Sequence, residues 1–170
     1  MSLILLGAGC RREPEAIQEG ESEMAIQVTS SAFKEGETIP KRHTCDGENL
    51  SPALSWTGIP QGTQSIALIA DDPDAPVGDW VHWVLLDLPP ELTGLPEGAS
   101  EVGVAGVNDF RKPGYGGPCP PKGKAHRYYF RVYALDTRLG LKTGATKAQA
   151  EAAMKGHILT SGRLIGRYSR

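Results

Sequence analysis

The stretch from Gly114 to Pro121 constrains the fold of this chain more than any other part of the sequence. It holds three glycines and three prolines within eight residues. Proline donates no backbone hydrogen bond, and glycine adopts backbone angles that are closed to other residues. A helix or an inner strand is therefore excluded here, and the sequence predicts a stiff loop.

The residues after this loop change abruptly in character. From Ala125 the sequence is rich in aromatic and β-branched residues, which predicts a strand that reaches Leu135. Because side chains alternate along a strand, His126 and Tyr128 share one face and are followed on it by Phe130. The loop thus leads into a strand whose first residues place an imidazole beside a phenol. This arrangement favours a small polar pocket on a rigid scaffold.

The composition indicates one mainly β domain. The chain has 170 residues, of which 39% are hydrophobic and 22% are charged, enough for one domain with a hydrophobic core. Its 21 glycines and 13 prolines favour many short strands and turns over a helical bundle. The net charge of -2 argues against nucleic acid as a partner, because a basic face is needed to bind phosphate backbones.

The first residues suggest an anchor and a tether. A short apolar run precedes Cys10, as at the end of a bacterial lipoprotein signal, where the cysteine is lipidated after cleavage. An ordinary chain terminus is the alternative, because the run is short and has no basic start. Residues 11–23 contain five glutamates and little to bury, which predicts a disordered acidic tether. We therefore expect a truncated signal and tether over residues 1–23 and a single domain over 24–170.

This interpretation of Cys10 also sets the expected localisation. A lipidated Cys10 predicts a lipid-anchored protein that is periplasmic or otherwise extracytoplasmic. Without lipidation, we expect a cytoplasmic protein.

Two apolar runs predict strands that are buried on both faces, Ser65–Ala70 and Val81–Leu88. In the second run, simple alternation places His82 on the same face as Val84, Leu86 and Leu88. The odd-numbered residues are then expected on the opposite face.

One helix is predicted near the end of the chain. Thr146 and Gln149 form a capping box, and apolar residues with helical spacing continue to Ile158. Arg163–Tyr168 is expected to form the last strand. A mainly β chain with one or two short helices predicts an antiparallel β-sandwich with Greek-key connections.

Four titratable residues lie near predicted strand ends beside loops rich in proline and glycine: Asp72, His82, His126 and Tyr128. Each has an ordinary structural explanation, because histidine and tyrosine can belong to a core and aspartate can close a turn. Together they would instead form an anion-binding pocket, with imidazole, the Tyr128 hydroxyl and the main-chain N–H of Cys119 as donors. Asp72 would then orient a histidine or accept the proton of a singly ionised phosphate ester.

Other chemistries fit the sequence less well. A metal site formed by both histidines and Asp72 lacks the short His-x-His or His-x3-His spacing. Cys119 and His126 would suit a weak hydrolase, although nothing marks Cys119 as a reactive thiol. No Gly-x-Ser-x-Gly elbow indicates a serine hydrolase. We therefore predict no catalytic residue, no metal and no cofactor.

Several motifs of the chain occur in the order of one known family. They are Asp72-Pro73-Asp74-Ala75-Pro76, Trp80-Val81-His82-Trp83, Gly117-Pro118-Cys119-Pro120-Pro121-Lys122-Gly123 and the following His126-Arg127-Tyr128. The further matches are Cys45-Asp46-Gly47, Ser51-Pro52, Trp56 and the closing Gly166-Arg167-Tyr168. The chain resembles the phosphatidylethanolamine-binding protein family over about residues 26–170, and specifically its bacterial Raf-kinase-inhibitor-like branch.

The resemblance implies a β-sandwich-like fold with a small cavity for phosphate, phospholipid headgroups or similar anions. The residues at matching motif positions that would line this cavity are Asp72, His82, Cys119, Pro120, Pro121, His126 and Tyr128. The residues expected to support it are Asp74, Trp80 and Gly117. We therefore expect non-catalytic binding of a small anionic ligand.

The resemblance also leaves alternatives open. Members of the family are described as inhibitors or modulators of kinases and proteases, so a protein-interaction module is the first alternative and the weak hydrolase is the second. Loops around the pocket would also suit a homodimer contact. With Cys10 set aside, Cys45 and Cys119 are an even pair in two loops that the resemblance brings towards one end, so we expect a disulfide if the protein is exported.

Overall fold

Two antiparallel β-sheets pack against each other in the computed structural model, which describes residues 26–170. The strands are β1 Gln27–Ser30, β2 Leu54–Thr57, β3 Ser65–Asp72, β4 Trp80–Leu88, β5 Gly94–Leu95, β6 Val104–Ala105, β7 His126–Leu135 and β8 Ile158–Tyr168. The smaller sheet has the order β1-β2-β5, and the larger has the order β6-β4-β3-β7-β8. One α-helix, α1 Lys147–Met154, and a short 3-10 helix, Lys41–His43, complete the described elements. The predicted mainly β fold is confirmed.

The hydrophobic core lies in two layers, one on each side of the larger sheet. Trp56 of β2, Trp83 of β4 and Phe130 of β7 are buried between the two sheets. On the opposite face, Met154 of α1 packs in a second cluster with Ile69 of β3. Every side chain of β3 is therefore buried, as the continuous apolar run predicts.

A β-bulge in β4 corrects the predicted position of His82. The register of β4 against β3 skips one residue at His82, so simple alternation fails there. Val81 consequently packs in the same outer cluster as Val84, whereas the ring of His82 contacts Tyr128, a residue of the core between the sheets. Bulges redirect side chains in this way next to functional sites.

A second irregularity near Asp87 corrects the predicted position of Leu88. The register skips another residue between Leu85 and Leu88, and Asp87 adopts a positive φ of 53°. Leu88 therefore packs between the sheets together with Leu85, and it does not share the outer face with Leu86.

The helix is shorter, and the last strand longer, than predicted. Thr146 and Gln149 form the predicted capping box at the start of α1. The helix nevertheless ends at Met154, because Gly156 adopts a positive φ of 82°, which is typical of a residue just past a helix end. β8 already begins at Ile158, so the apolar residues after Met154 belong to a turn and a strand.

Residues 1–25 lie outside the described part of the chain. The signal-like run, the lipidation of Cys10, the acidic tether and the start of the domain at residue 24 therefore stay predictions. Among residues 26–170, no helix combines the length and the apolar character that are needed to cross a bilayer.

Removal of the capping box is expected to destabilise the domain. Thr146→Ala leaves the N–H of Gln149 without its side-chain acceptor, and the loss of such an N-cap costs about 1 kcal/mol. Denaturant titration should show this as a lower free energy of unfolding. Thr146→Ser keeps the accepting oxygen and should unfold like the parent. Equal losses in both variants would contradict the capping role.

Candidate functional site

A cavity of about 280 Å³ opens at one end of the larger sheet, where β3 ends and β4 and β7 begin. Its walls come from these strand ends, from the 73–79 loop and from the glycine- and proline-rich loop. The residues that line it are Asp72, Ala75, Pro76, Val77, Trp80, His82, Phe110, Cys119, Pro120, Pro121 and His126. The structure thus brings six of the seven predicted ligand residues to one mouth, and only Tyr128 is not part of the wall.

A buried carboxylate–imidazole pair occupies one side of this cavity. The Nδ1–H of His126 donates to Oδ2 of Asp72 at 2.8 Å, and the N–H of Asp74 donates to Oδ1 of Asp72 at 2.8 Å. Asp72 and His126 are both buried. The carboxylate therefore orients the imidazole and leaves Nε2 of His126 for a ligand. The sequence allows Asp72 either to orient a histidine or to accept a proton from a phosphate ester. This geometry favours the first role.

His82 is fixed as a neutral ring with a defined tautomer. Its Nδ1 lies 2.5 Å from the carbonyl oxygen of Gly116, which only accepts hydrogen bonds, so Nδ1 carries a proton. Burial lowers the pKa of His82, which keeps the ring neutral near pH 7. Nε2 of His82 is therefore an acceptor, and the prediction that both histidines act as donors is corrected for this one.

Tyr128 contributes a buried hydroxyl that lacks a partner. Its ring meets that of His82 edge to face, with 5.2 Å between centroids. The hydroxyl forms no hydrogen bond to any of residues 26–170. Burial, and then the negative charge of Asp72, raise the pKa of Tyr128, so the hydroxyl stays protonated and keeps a hydrogen to donate. A buried polar group without a partner is rare, and residues 26–170 contain two others, Oγ of Ser51 and Nε1 of Trp83.

Two glycines let the glycine- and proline-rich loop lie close to the rest of the domain. A Cβ atom at Gly116 would overlap the ring of Phe110, and one at Gly117 would overlap the carbonyl oxygen of His43. The N–H of Gly117 donates to Oδ1 of Asn49 at 2.8 Å. Gly117 therefore positions the loop and does not line the cavity.

A disulfide between Cys45 and Cys119 joins this loop to the segment before β2. The N–H of Cys45 also donates to the carbonyl oxygen of Pro118 at 3.1 Å. Because its sulfur is bonded, Cys119 provides no thiol nucleophile, so the hydrolase alternative that depends on this residue is wrong. The main-chain N–H of Cys119 donates to no acceptor among residues 26–170 and can serve a ligand.

The supporting residues hold the 73–79 loop in place. The guanidinium group of Arg127 donates two hydrogen bonds to Asp74, of 2.8 and 2.7 Å, and its main-chain N–H donates a third, of 2.9 Å. These bonds hold the pKa of Asp74 well below its usual range. This pair connects the loop to β7 between His126 and Tyr128, so it helps to place both residues. Trp80 lines the cavity directly.

The structure adds groups to the site that the sequence analysis missed. Phe110 and Val77 line the mouth and are exposed, to 38% and 77% respectively. Val77 directly follows the Asp72–Pro76 motif, which could have indicated it. Phe110 follows no motif, and the carbonyl of Gly116 gives no signal, because main-chain groups are common to all residues. Within residues 26–170, no cluster of three or more His, Cys, Asp or Glu side chains is arranged to hold a metal ion.

The fold and the cavity define a two-sheet β protein with a small pocket at the end of its larger sheet. The family model described as phosphatidylethanolamine-binding protein matches residues 29–169 of the sequence. The chain therefore belongs to the phosphatidylethanolamine-binding protein family, which confirms the resemblance at the level of the family.

Known relatives agree with this assignment. A UPF0098 protein of Methanothermobacter thermautotrophicus is 50% identical over 151 residues, which cover 85% of this chain and 99% of the relative. The crystal structure of a putative phosphatidylethanolamine-binding protein homologue from Chlamydia trachomatis matches with a TM-score of 0.82 and 43% identity, over 86% of this chain and 98% of that one. The E. coli protein YbcL, described as a new member of the mammalian family, matches with a TM-score of 0.81 and 35% identity, over 86% and 99% of the two chains.

Loss of the disulfide is expected to destabilise the domain. The bridge joins residues that are 74 positions apart in the sequence. A disulfide typically adds about 2–4 kcal/mol to the free energy of unfolding. A double variant, Cys45→Ser with Cys119→Ser, should lose this amount in denaturant titration. Cys10→Ser is the matched control and should unfold like the parent. Equal stability of the double variant and the control, or an intact mass that does not change on reduction, would contradict the bridge.

Acid is expected to weaken the fold through His82. Burial lowers its pKa in the native state, so the unfolded chain, with the ordinary value of 6.5, binds more protons. The free energy of unfolding should therefore fall as the pH drops through about 6.5. His82→Asn keeps a side-chain N–H for the carbonyl of Gly116 but does not titrate, so its stability should fall less between neutral pH and about pH 5. Parallel curves for the parent and the variant would contradict this role.

Proposed function

We propose that the chain reversibly binds a small molecule with a singly charged phosphoryl group, either a phospholipid headgroup or a phosphorylated small molecule. The observation that supports this most directly is the geometry of one cavity: Nδ1 of His82 is bound to the carbonyl oxygen of Gly116, which leaves its Nε2 for a ligand, and the Asp72–His126 pair lies in the same cavity. No covalent step is part of the proposal.

The charges at the cavity favour one negative charge on the ligand over two. Asp72 is a buried carboxylate and His82 is neutral, so a second charge on the phosphoryl group would be repelled without a compensating cation. A singly ionised monoester also carries a P–OH group, which can donate to Nε2 of His82. Its other oxygens can accept from the N–H of Cys119, and Nε2 of His126, whose Nδ1–H is bound to Asp72, offers a second acceptor for the P–OH hydrogen.

The size and the walls of the cavity limit the rest of the ligand. A volume of about 280 Å³ is at the lower end of the range for ligand pockets, so a headgroup-sized molecule fits and a whole lipid does not. Trp80, Phe110 and Pro121 make the walls largely apolar. A short organic substituent on the phosphoryl group can therefore be buried against these side chains.

Replacement of His126 is expected to weaken binding. His126→Asn keeps a donor near Asp72 but removes Nε2, and the loss of one hydrogen bond to a charged group corresponds to roughly tenfold weaker affinity. Isothermal titration with phosphoethanolamine measures this difference at constant salt and about pH 5.5, below the second pKa of a phosphate monoester (about 6), where the phosphoryl group is mostly singly charged.

The chain supplies a matched control for this experiment. His157 also pairs through Nδ1 with a carboxylate, that of Asp136 at 2.8 Å, but it is exposed and lies outside the cavity. His157→Asn should leave the affinity unchanged. Equal affinities for the parent, His126→Asn and His157→Asn would refute phosphoryl binding at this site.

A second candidate function is supported by the exposed apolar mouth. Val77 and Phe110 are large hydrophobic residues at the rim that remain 77% and 38% exposed. Exposed apolar groups around a polar site are typical of surfaces that bind other proteins. We therefore keep, as the alternative, a protein-interaction module that modulates a kinase or a protease through this rim.

Substitutions at the rim and inside the cavity distinguish the two candidate functions. Val77→Asp places a charge on the rim and should abolish capture of a partner protein in a pull-down, whereas His82→Ala should leave that capture intact. Towards phosphoethanolamine, His82→Ala should weaken binding, because it removes an acceptor from the cavity. A partner that is lost with His82→Ala but kept with Val77→Asp would exclude recognition through the rim.

A further inference from the structure

Arginines are concentrated on one surface of the larger sheet, away from the cavity described above. They surround Tyr129 on the outer side of β7 and β8, and we call them the arginine face: Arg127, Arg131, Arg163 and Arg167. In the register of the two strands, Arg127 lies opposite Arg167 and Arg131 lies opposite Arg163. Like charges directly opposite each other on neighbouring strands are destabilising. Packing alone therefore does not explain this arrangement.

Only half of these charges are neutralised by the fold. The two arginines of β7 pair with carboxylates, those of Asp74 and Asp71. The two arginines of β8, Arg163 and Arg167, form no ion pair with any of residues 26–170. Asp71 also pairs with Lys147, and the carboxylate of Glu35 accepts from the N–H of Ile165, which lies between the two unpaired arginines of β8. The cationic character of this face therefore rests on Arg163 and Arg167.

One part of the arginine face is concave. A cavity of about 390 Å³ lies between the start of β1 and the strands β7 and β8, and its lining residues are Ile26, Gln27, Arg131, Tyr133, Ser161, Gly162 and Arg163. It therefore combines two guanidinium groups, two hydroxyls and one side-chain amide. None of these lining residues is acidic.

Aromatic contacts preorganise the guanidinium groups. The ring of Tyr129 lies 4.4 Å from the guanidinium carbon of Arg131 and 5.6 Å from that of Arg163, distances at which cation–π attraction acts. The carboxylate of Asp71 orients Arg131 further, and Lys147 shares that carboxylate. Burial raises the pKa of Tyr133, so its hydroxyl stays protonated and available as a donor.

We propose that this cavity is a second oxyanion site, which binds the doubly charged phosphoryl group of a phosphate monoester or of inorganic phosphate. Arg163 provides a planar fork of N–H donors for two oxygens, and Arg131, Ser161 and Tyr133 provide further donors. Arg163 has no carboxylate partner and no lining residue is acidic, so a second negative charge on the phosphoryl group meets less repulsion here than beside Asp72. The site near His82, which contains a carboxylate and a neutral imidazole, has the opposite preference.

The test is an NMR titration of the full-length chain with inorganic phosphate, above its second pKa and at constant ionic strength. Saturable shifts are expected for backbone amides around Gln27 and Ser161–Arg163. Arg163→Gln should weaken this binding roughly tenfold, because it removes a hydrogen-bonded charge. Arg167→Gln is the matched control, since it removes the same charge from the same face and strand but lies outside the cavity. It should change the affinity less than about twofold, as expected for a screened charge.

A further variant tests whether carboxylates of the chain itself compete with phosphate for this cavity. Residues 13–23 contain five glutamates, so a full-length chain with all five changed to glutamine is titrated alongside the parent. Saturable binding that depends on Arg163 in either chain supports the proposal. Equal losses for Arg163→Gln and Arg167→Gln would show a diffuse charge effect and overturn it, as would the absence of saturable shifts from both chains.

A second arm identifies the source of the phosphoryl group. Vesicles of phosphatidylcholine with and without phosphatidic acid, whose headgroup is a phosphate monoester, are tested by co-sedimentation. Binding that requires phosphatidic acid and Arg163 supports a lipid source. Phosphate binding in solution without vesicle binding supports a free small molecule. His126→Asn should affect neither result, so failure of this proposal is distinguishable from failure of the proposed function.

Discussion

The paired hydrogen bonds between His82 and Gly116 are the interaction on which the candidate site depends. The N–H of Gly116 donates to the main-chain carbonyl of His82 at 2.8 Å, and the ring of His82 donates back to the carbonyl of Gly116 at 2.5 Å. This pair attaches the glycine- and proline-rich loop to β4, orients the ring and fixes its tautomer. It requires the bulge that turns His82 towards this side, and it requires glycine where the loop passes Phe110.

The fixed tautomer determines which ligand the cavity suits. A neutral ring that presents an acceptor, beside the buried carboxylate of Asp72, favours a ligand with one negative charge and a hydrogen to donate. The N–H of Cys119 complements this by donating to an oxygen of the ligand. The arginine face has the opposite electrostatics, because its cations are permanent and two of them lack carboxylate partners. The two proposed sites would therefore select different ionisation states of the same chemical group.

The sequence predicts those features that depend on local patterns. The buried strand β3, the strand that begins at His126 and the capping box at Thr146 all follow from composition, alternation or spacing over a few residues. The family motifs also indicated most of the cavity. The bulge at His82 could not be predicted, because an extra residue in β4 is defined only by its pairing with β3. The donor role assigned to His82 was wrong for a related reason, since its partner is a main-chain carbonyl. The arginine face likewise appears only once the register of β7 and β8 is known.

The most direct test is a long-range proton–nitrogen correlation spectrum of the imidazole rings, recorded near neutral pH without ligand. We predict that His82 is neutral, carries its proton on Nδ1 and has an unprotonated Nε2. Addition of phosphoethanolamine at about pH 5.5, where its phosphoryl group is mostly singly charged, should then perturb Nε2 of His82 and Nε2 of His126 together. A His82 ring that is charged, or that carries its proton on Nε2, would contradict the acceptor role, and with it the preference for a singly charged phosphoryl group.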